Sequence, residues 1–242
     1  MLEPWRTGVV TRIKDESATT RRYWIQIPEV ERFDFIPGQF ITLDLPIHEK
    51  RNKRWRSYSI ASAPDRSNTI ELVIVLMKGG AGSEYLFEQV KEGSELSLRG
   101  PQGVFVLPQE LDKDIFLICT GTGVAPFRSM LFNIKQQNIP HKNIYLVFGT
   151  RLVPDCLYYE ELRNLESDLD GFYYLPCFSR EPESNTSVRR GYVHGVYEEI
   201  LAADKRPAYF FLCGWKNMID EAKERILAMG YDKKDIHLEL YG

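Results

Sequence analysis

The sequence predicts two folding patterns in series: a six-stranded antiparallel β-barrel, then a doubly wound parallel sheet with helices on its faces. Three observations carry this expectation. From Thr7 to Gly103 the chain is a series of short β-rich runs punctuated by glycine and proline, with no long helical period between them. After Pro108 apolar strand-length runs alternate with helical patterns, as in a sheet wound by βα units. At Asp114–Met130 a continuous apolar run, a glycine turn and a helix start follow one another directly. The boundary falls between Pro108 and Asp112, so the expected domains are 1–108 and 109–242.

In the first part, strands are expected at Val9–Ile13, Tyr23–Ile27, Phe40–Leu43, Trp55–Ala61, Ile70–Leu76 and Glu95–Leu98, with one short helical segment at Glu84–Val90. In the second, strands are expected at Asp114–Cys119, Asn143–Gly149, Phe172–Phe178, Ala208–Cys213 and His237–Tyr241. Helices are expected at Phe127–Gln137, Tyr158–Leu165, Val196–Ala202 and Lys216–Met229.

Composition narrows the function classes. The chain has 242 residues, 43% hydrophobic and 27% charged, with a formal net charge of −3. That length supports a real core, and mild acidity argues against bulk binding of nucleic acid. No apolar run approaches the ~20 residues that cross a bilayer. Met1–Thr20 lacks a signal-peptide core, so a cytoplasmic location is expected and the sequon at Asn185 carries no weight; a monomer is the expected state. Cys119, Cys156, Cys177 and Cys213 show no C-x-x-C spacing, which argues against a zinc or iron–sulfur site.

Several stretches suit ligands as well as structure. Thr120-Gly121-Thr122-Gly123 joins a strand to a helix with Pro126 in its first turn, and serves either a pyrophosphate or only the connection. It lacks the third glycine of a dinucleotide fingerprint and the Gly-Lys of a P-loop. On the run Arg56–Ser62, strand alternation puts Arg56 and Tyr58 on one face and Ser57 and Ser59 on the other. A guanidinium suits a phosphate, and a tyrosine beside it can stack on a flat heterocycle. Gly79–Leu86 can form a second backbone anion nest leading into a short helix. Each of these is also compatible with a plain barrel strand or glycine turn. The basic run Lys50–Arg56 suits nucleic acid, an acidic protein or only solvent.

Taken in order, the chain resembles the ferredoxin–NADP reductase superfamily along nearly all its length. The marks are Pro37-Gly-Gln-Phe40, Arg56-x-Tyr58-Ser59, Gly82-Ser83, Gly100-Pro-x-Gly103, Thr120-Gly-Thr-Gly-Val-Ala-Pro126, Phe148-Gly-Thr-Arg151, Ser179-Arg-Glu181, Cys213-Gly214 and Glu239-Leu-Tyr241. The resemblance implies a flavin-binding barrel followed by a nicotinamide-nucleotide domain, with the cofactors meeting in the cleft between them. Hydride would pass between nicotinamide and flavin, and single electrons between flavin and a small carrier.

Family roles then fall on particular residues. Arg56 would hold a flavin phosphate, Tyr58 would pack on the isoalloxazine or ribityl, and Ser59 would hydrogen-bond near N5. Gly82 and Ser83 would offer backbone N–H groups and a hydroxyl to the pyrophosphate of FAD, which the resemblance favours over FMN. Gly121–Pro126 would receive the pyridine nucleotide, with Cys213 and Gly214 beside its nicotinamide. Glu239 would relay protons, or stand as a solvated strand-end charge. Tyr241 would stack on the flavin face; the plant-type pattern stops at that aromatic, whereas Gly242 follows it here. Ser179 and Arg180 would clamp a 2′-phosphate, with Arg151 nearby, Arg189 or Arg190 closing the clamp and Tyr192 on adenine. NADP is therefore expected over NAD, with Glu181 an intruder by charge. The expected partner is an acidic carrier, ferredoxin or flavodoxin, docking at Lys50, Arg51, Lys53 and Arg54. The rivals are a reductase component of an oxygenase, a free-flavin reductase and a non-catalytic nucleotide-sensing module.

Overall fold

Short β-branched and aromatic runs in the first half of the chain pair antiparallel, as their alternation requires. The structure, a computed structural model, describes residues 3–241. Gly242, which the sequence places after Tyr241, lies outside the described residues. The chain divides into two compact units. One holds the residues up to Val106 together with Ala125–Asn133, and the other holds Leu107–Val124 and Ile134 onward. Among the described residues no helix is long and apolar enough to cross a membrane.

The first unit contains β1 (Trp5–Ser17), β2 (Thr20–Gln26), β3 (Phe40–Asp44), β4 (Trp55–Ser59), β5 (Thr69–Val75) and β6 (Glu95–Gln102). They form one antiparallel sheet in the order β4-β3-β6-β1-β2-β5. The N–H of Ala61, just past β4, donates to the carbonyl of Glu71 on β5 at 2.8 Å, which brings the two outer strands together. Ile25, Ile41, Leu43, Ile70, Leu72 and Leu98 fill the interior. Each such side chain contributes roughly 1.5–3 kcal/mol when fully buried.

Several elements differ in bounds from expectation, β2 and β6 running longer and β1 and the first helix differing as follows. β1 runs thirteen residues rather than five, because its polar second half, Lys14–Ser17, is held by backbone pairing to β2 and not by apolar alternation. The first helix, α1 (Ala81–Glu88), starts three residues earlier than its apolar pattern, directly at the glycine loop, with Gly80 at its N-cap. Tyr23 donates its hydroxyl proton to the Leu86 carbonyl at 3.0 Å, which fixes α1 against the sheet.

The second unit is built on β7 (Asp114–Thr120), β8 (Ile144–Thr150), β9 (Phe172–Phe178), β10 (Ala208–Trp215) and β11 (Ile236–Tyr241). All neighbours are parallel, in the order β11-β10-β7-β8-β9. The order reverses between β7 and β10, the place in such sheets where strand ends leave room for ligands. α4 (Val193–Ala203) and α5 (Lys216–Ala228) cover the face carrying Phe116, Ile118, Val147 and Leu212. α3 (Tyr159–Asp168) lies on the other, where its Tyr159 meets the ring of Tyr174. α4 begins three residues before its expected start. Gly195 interrupts the helical pattern in sequence, yet Val193, Val196, Tyr197 and Leu201 share one buried stripe. The helix after the first glycine turn, α2, spans Val124–Gln137 and places Pro126 in its first turn as the sequence requires.

Candidate functional site

In the first unit, strand register alone places the chemistry of β4. Arg56 pairs with Leu43 and Tyr58 with Ile41, both partners fully buried, while Ser57 pairs with Thr42 and Ser59 with Phe40. Arg56 and Tyr58 thus share a face. The Arg56 guanidinium donates to the carbonyls of Trp55 at 2.8 Å and Lys53 at 3.2 Å. Its stem lies across the first turn of α1, where a Cβ on Gly82 would come within 2.8 Å of the Arg56 Cγ and 2.9 Å of its Nε. Glycine is required there so that the cation can reach the start of the helix.

No side chain caps α1. The N–H groups of its first turn lack intrahelical acceptors and point outward with the positive end of the helix dipole. The Ser83 hydroxyl is turned inward, accepting from the Met77 N–H at 3.0 Å and donating to the Gly80 carbonyl at 3.0 Å. What this turn offers a phosphate is therefore backbone N–H and the Arg56 guanidinium. Glu84 braces the loop by accepting from the Gly79 N–H at 2.7 Å.

Burial pushes the Tyr58 hydroxyl well above the usual tyrosine range, against the opposing pull of Arg56, so it stays protonated and able to donate. Ser59 is buried. Two marks quoted from the sequence without a role prove to be braces for this strand. The carbonyl of Gln39 accepts from the Ile60 N–H at 3.0 Å, and its side chain donates to the Gly103 carbonyl at 3.3 Å. Gly38 has φ +101°, and a Cβ there would fall 1.9 Å from the Phe105 carbonyl oxygen.

The basic run divides in two. Arg54 and Arg51 lie 2.7 and 3.7 Å from the Asp44 carboxylate, and Arg51 also sits over the Trp5 ring. Lys50 and Lys53 are exposed and make no ion pair among the described residues.

In the second unit, Thr120 ends β7 and Gly121–Gly123 forms a single 3-10 turn before α2. Gly121 has φ +55° with open space where a Cβ would stand, so its backbone is accessible to a ligand. Gly123 is the opposite case: a Cβ there would lie 2.4 Å from the Cys213 carbonyl oxygen. The Thr120 hydroxyl is buried without a hydrogen-bond partner among the described residues, close against Gly214. An unsatisfied buried hydroxyl beside an accessible glycine turn fits a polar ligand at this strand end.

Cys213 is fully buried on β10, between Cys119 on β7 and Glu239 on β11. Burial, helped by the Glu239 charge, pushes its thiol far up, against a hydrogen bond with Tyr241. Cys213 is therefore a neutral thiol, not a thiolate nucleophile.

The ends of β8 and β9 run together. The N–H of Ser179 donates to the Thr150 carbonyl at 3.0 Å and that of Arg180 to the Arg151 carbonyl at 2.9 Å. The Arg189–Gly191 backbone pairs with Phe178, which places Arg190 opposite the end of β9. Arg180 and Arg151 are exposed without an ion pair among the described residues, whereas Arg189 is 2.6 Å from Glu199 and Arg190 3.7 Å from Glu183. Glu181, the intruder by charge, accepts from the Val153 N–H at 3.1 Å and the Asn185 amide at 2.9 Å. It organises these loops and is turned to structure. Tyr192 is 74% exposed at the N-cap of α4.

Comparison with known proteins agrees with both halves. Residues 7–107 match the family model of an oxidoreductase FAD-binding domain, and residues 117–224 that of an oxidoreductase NAD-binding domain. A ferredoxin–NADP reductase B from Sorangium cellulosum is 34% identical over 99% of this chain and 98% of its own. An anthranilate 1,2-dioxygenase electron transfer component from Acinetobacter baylyi is 30% identical over 89% of this chain, which spans 61% of that protein's length. Among solved structures, a ferredoxin NADP+ reductase from Neisseria gonorrhoeae with bound FAD and NADP is 25% identical, with a TM-score of 0.80 and 98% of each chain covered.

Proposed function

The chain belongs to the ferredoxin reductase-like superfamily, and from that premise we propose that it passes electrons between NADP(H) and a small acidic carrier protein, ferredoxin or flavodoxin. It is a flavin-dependent oxidoreductase that uses FAD and a pyridine nucleotide. The observation that carries the carrier reading is the match that spans nearly the whole of both this chain and a ferredoxin–NADP reductase. Enzymatic relatives along the full length set aside a non-catalytic nucleotide-sensing module. A reductase component of an oxygenase stands as the second reading, supported by the dioxygenase electron transfer component.

When bound, the flavin supplies the conversion of two-electron nicotinamide chemistry into single-electron transfer. The chain's own residues hold and orient. Arg56 and the first-turn N–H groups of α1 hold the FAD phosphates. Tyr58 would pack on the flavin as a protonated hydroxyl, and Ser59 would donate to it. Thr120–Gly123 and the start of α2 at Pro126 bind the nucleotide pyrophosphate. Cys213, neutral and polarizable, and Gly214 would shape the nicotinamide place, beside Tyr241, which hydrogen-bonds Cys213. Glu239, paired with Cys213 across β10 and β11, would relay protons.

The test is oxidation of NADPH and NADH with ferredoxin, flavodoxin, free flavin and cytochrome as alternative acceptors. Fastest reduction of ferredoxin or flavodoxin supports the proposal. A preference for free flavin or for an oxygenase partner replaces it.

Coenzyme choice follows from Arg180, the exposed cation at the end of β9. A 2′-phosphate carries close to two negative charges, which a free guanidinium binds with charge-assisted hydrogen bonds. Arg180→Ala should raise KM for NADPH about tenfold and KM for NADH by less than about twofold, with kcat nearly unchanged for both. Steady-state kinetics with both coenzymes decides it, and equal weakening of both would make the site one for NAD.

Carrier docking follows from the two lysines that Asp44 leaves unpaired. Carrier reduction should slow as salt rises, since exposed charges are screened over ~10 Å at 0.1 M. Lys50→Glu with Lys53→Glu should lower the association rate about tenfold while sparing reduction of a small neutral dye. The same reversal at Arg51 and Arg54 should cost less, because those cations already face a carboxylate. Equal damage to dye and carrier would remove this surface from the account.

A further inference from the structure

The segment leaving β4 is held by two side chains of α2 to which the sequence assigns no role. The Arg128 guanidinium donates to the Ala61 carbonyl at 2.7 Å, and the Ser129 hydroxyl, itself fully buried, donates to the Ser62 carbonyl at 2.6 Å. Those carbonyls lie directly downstream of Ser59. The same corner holds Glu71, only 3% exposed, whose carboxylate takes a two-pronged hydrogen bond from Arg22 at 2.6 and 3.0 Å and lies 3.4 Å from Arg128. Arg22 is further paired with Glu16 at 3.1 Å, so two cations face two carboxylates. The Ser62 hydroxyl accepts from the Glu71 N–H at 3.1 Å, which closes the network onto the strand exit.

The geometry explains why charged groups serve here. β4 leaves its ladder at Ser59, and the peptides that follow have no continuous strand partner to set their planes. Ile60 is held through its N–H by Gln39, Ala61 through its N–H by Glu71, and the carbonyls of Ala61 and Ser62 by Arg128 and Ser129. A charge-assisted bond is roughly twice as strong as a neutral one, and it fixes the direction of the carbonyl it binds. Charges this deeply placed hold their geometry because each is compensated by a partner.

We propose that Arg128 and Ser129 are positioning residues for Tyr58 and Ser59: by fixing the peptides at 61 and 62, they set the angle at which those two side chains meet the flavin. This rests on the reading that Tyr58 and Ser59 face the flavin. Arg22 makes its own two-pronged bond to Glu71, so removing Arg128 should leave that carboxylate with a cation beside it.

The experiment combines amide hydrogen exchange over residues 57–63 in flavin-free protein with stopped-flow reduction of the FAD-loaded enzyme by NADPH. Arg128→Met should speed exchange of that segment about tenfold and lower the limiting reduction rate about ten- to a hundredfold, with flavin content and NADPH affinity nearly unchanged. Arg128→Lys, which can still donate to Ala61, should restore part of both. Ser129→Ala should give a smaller change of the same sign, and it stands in if Arg128→Met does not fold. Unchanged exchange, or a rate that falls only as flavin is lost, overturns the positioning role. An unmodified protein that takes up no flavin overturns the flavin reading and this role with it, whereas a flavin-loaded enzyme indifferent to Arg128→Met overturns the role alone.

Discussion

Gly123→Ala should lose most of its coenzyme binding and a large part of its stability. The added Cβ would stand 2.4 Å from the carbonyl oxygen of Cys213 and 2.7 Å from its carbonyl carbon. Both are backbone atoms of a buried strand paired on either side, by β7 and by β11, so neither can move aside. Overpacking at such a site costs on the order of 3 kcal/mol. Relief by pushing the glycine turn away from β10 would displace the N–H groups proposed to bind the pyrophosphate. Coenzyme affinity should then fall about a hundredfold or more. Gly121→Ala is the control: its Cβ meets nothing, and only its left-handed φ of +55° resists, costing about 1–2 kcal/mol. Urea unfolding midpoints and NADPH dissociation constants for both variants read the difference. If Gly123→Ala binds NADPH as the unmodified protein does, the contact between the glycine turn and β10 is not what shapes the nucleotide site.

Removing the Arg56 guanidinium should have the next largest consequence. Arg56 reaches the uncapped start of α1 because Gly82 leaves room for its stem. Losing one charge-assisted phosphate contact costs on the order of 1.5–3 kcal/mol, or roughly ten- to a hundredfold in affinity. Purified Arg56→Ala should therefore emerge depleted in FAD, and titration of the flavin-free protein should show weaker binding by that factor. Arg56→Lys keeps the charge but loses the planar fork, and should fall between. Full retention of FAD by Arg56→Ala would move the phosphate contact elsewhere on the unit. An unmodified protein that is colourless and takes up no FAD would remove the enzyme reading altogether.

The features legible in the sequence were those set by a few consecutive residues. Alternation along Arg56–Ser59 put Arg56 and Tyr58 on a common face, and the ladder with β3 keeps them there. The apolar run before Thr120 announced a strand buried on both faces, and β7 is that strand, at the centre of its sheet. The glycines of the turn announced a close approach, though not to which atoms. Features set by pairing across the fold were hidden. Asp44 draws off Arg51 and Arg54 because β3 and β4 are neighbours, which leaves Lys50 and Lys53 exposed without an ion pair among the described residues. Glu181 looked like a charge opposing a phosphate, but it is turned to the Val153 and Asn185 loops. The Ser83 hydroxyl looked like a phosphate donor and is engaged by Met77 and Gly80.

The sequence by itself determined the two-part architecture, the order of strands and helices along the chain, and the residue types gathered at each strand end. These follow from sterics and hydrophobic periodicity that act within a turn of helix or a pair of strand residues. Only the tertiary structure decided which polar groups remain available to a ligand. That choice depends on partners distant in the chain: Asp44 for the arginines, Arg22 and Arg128 for Glu71, Cys213 for the glycine turn. A side chain's hydrogen-bonding capacity is the same wherever it stands, and burial beside a partner decides whether any of it is left for function.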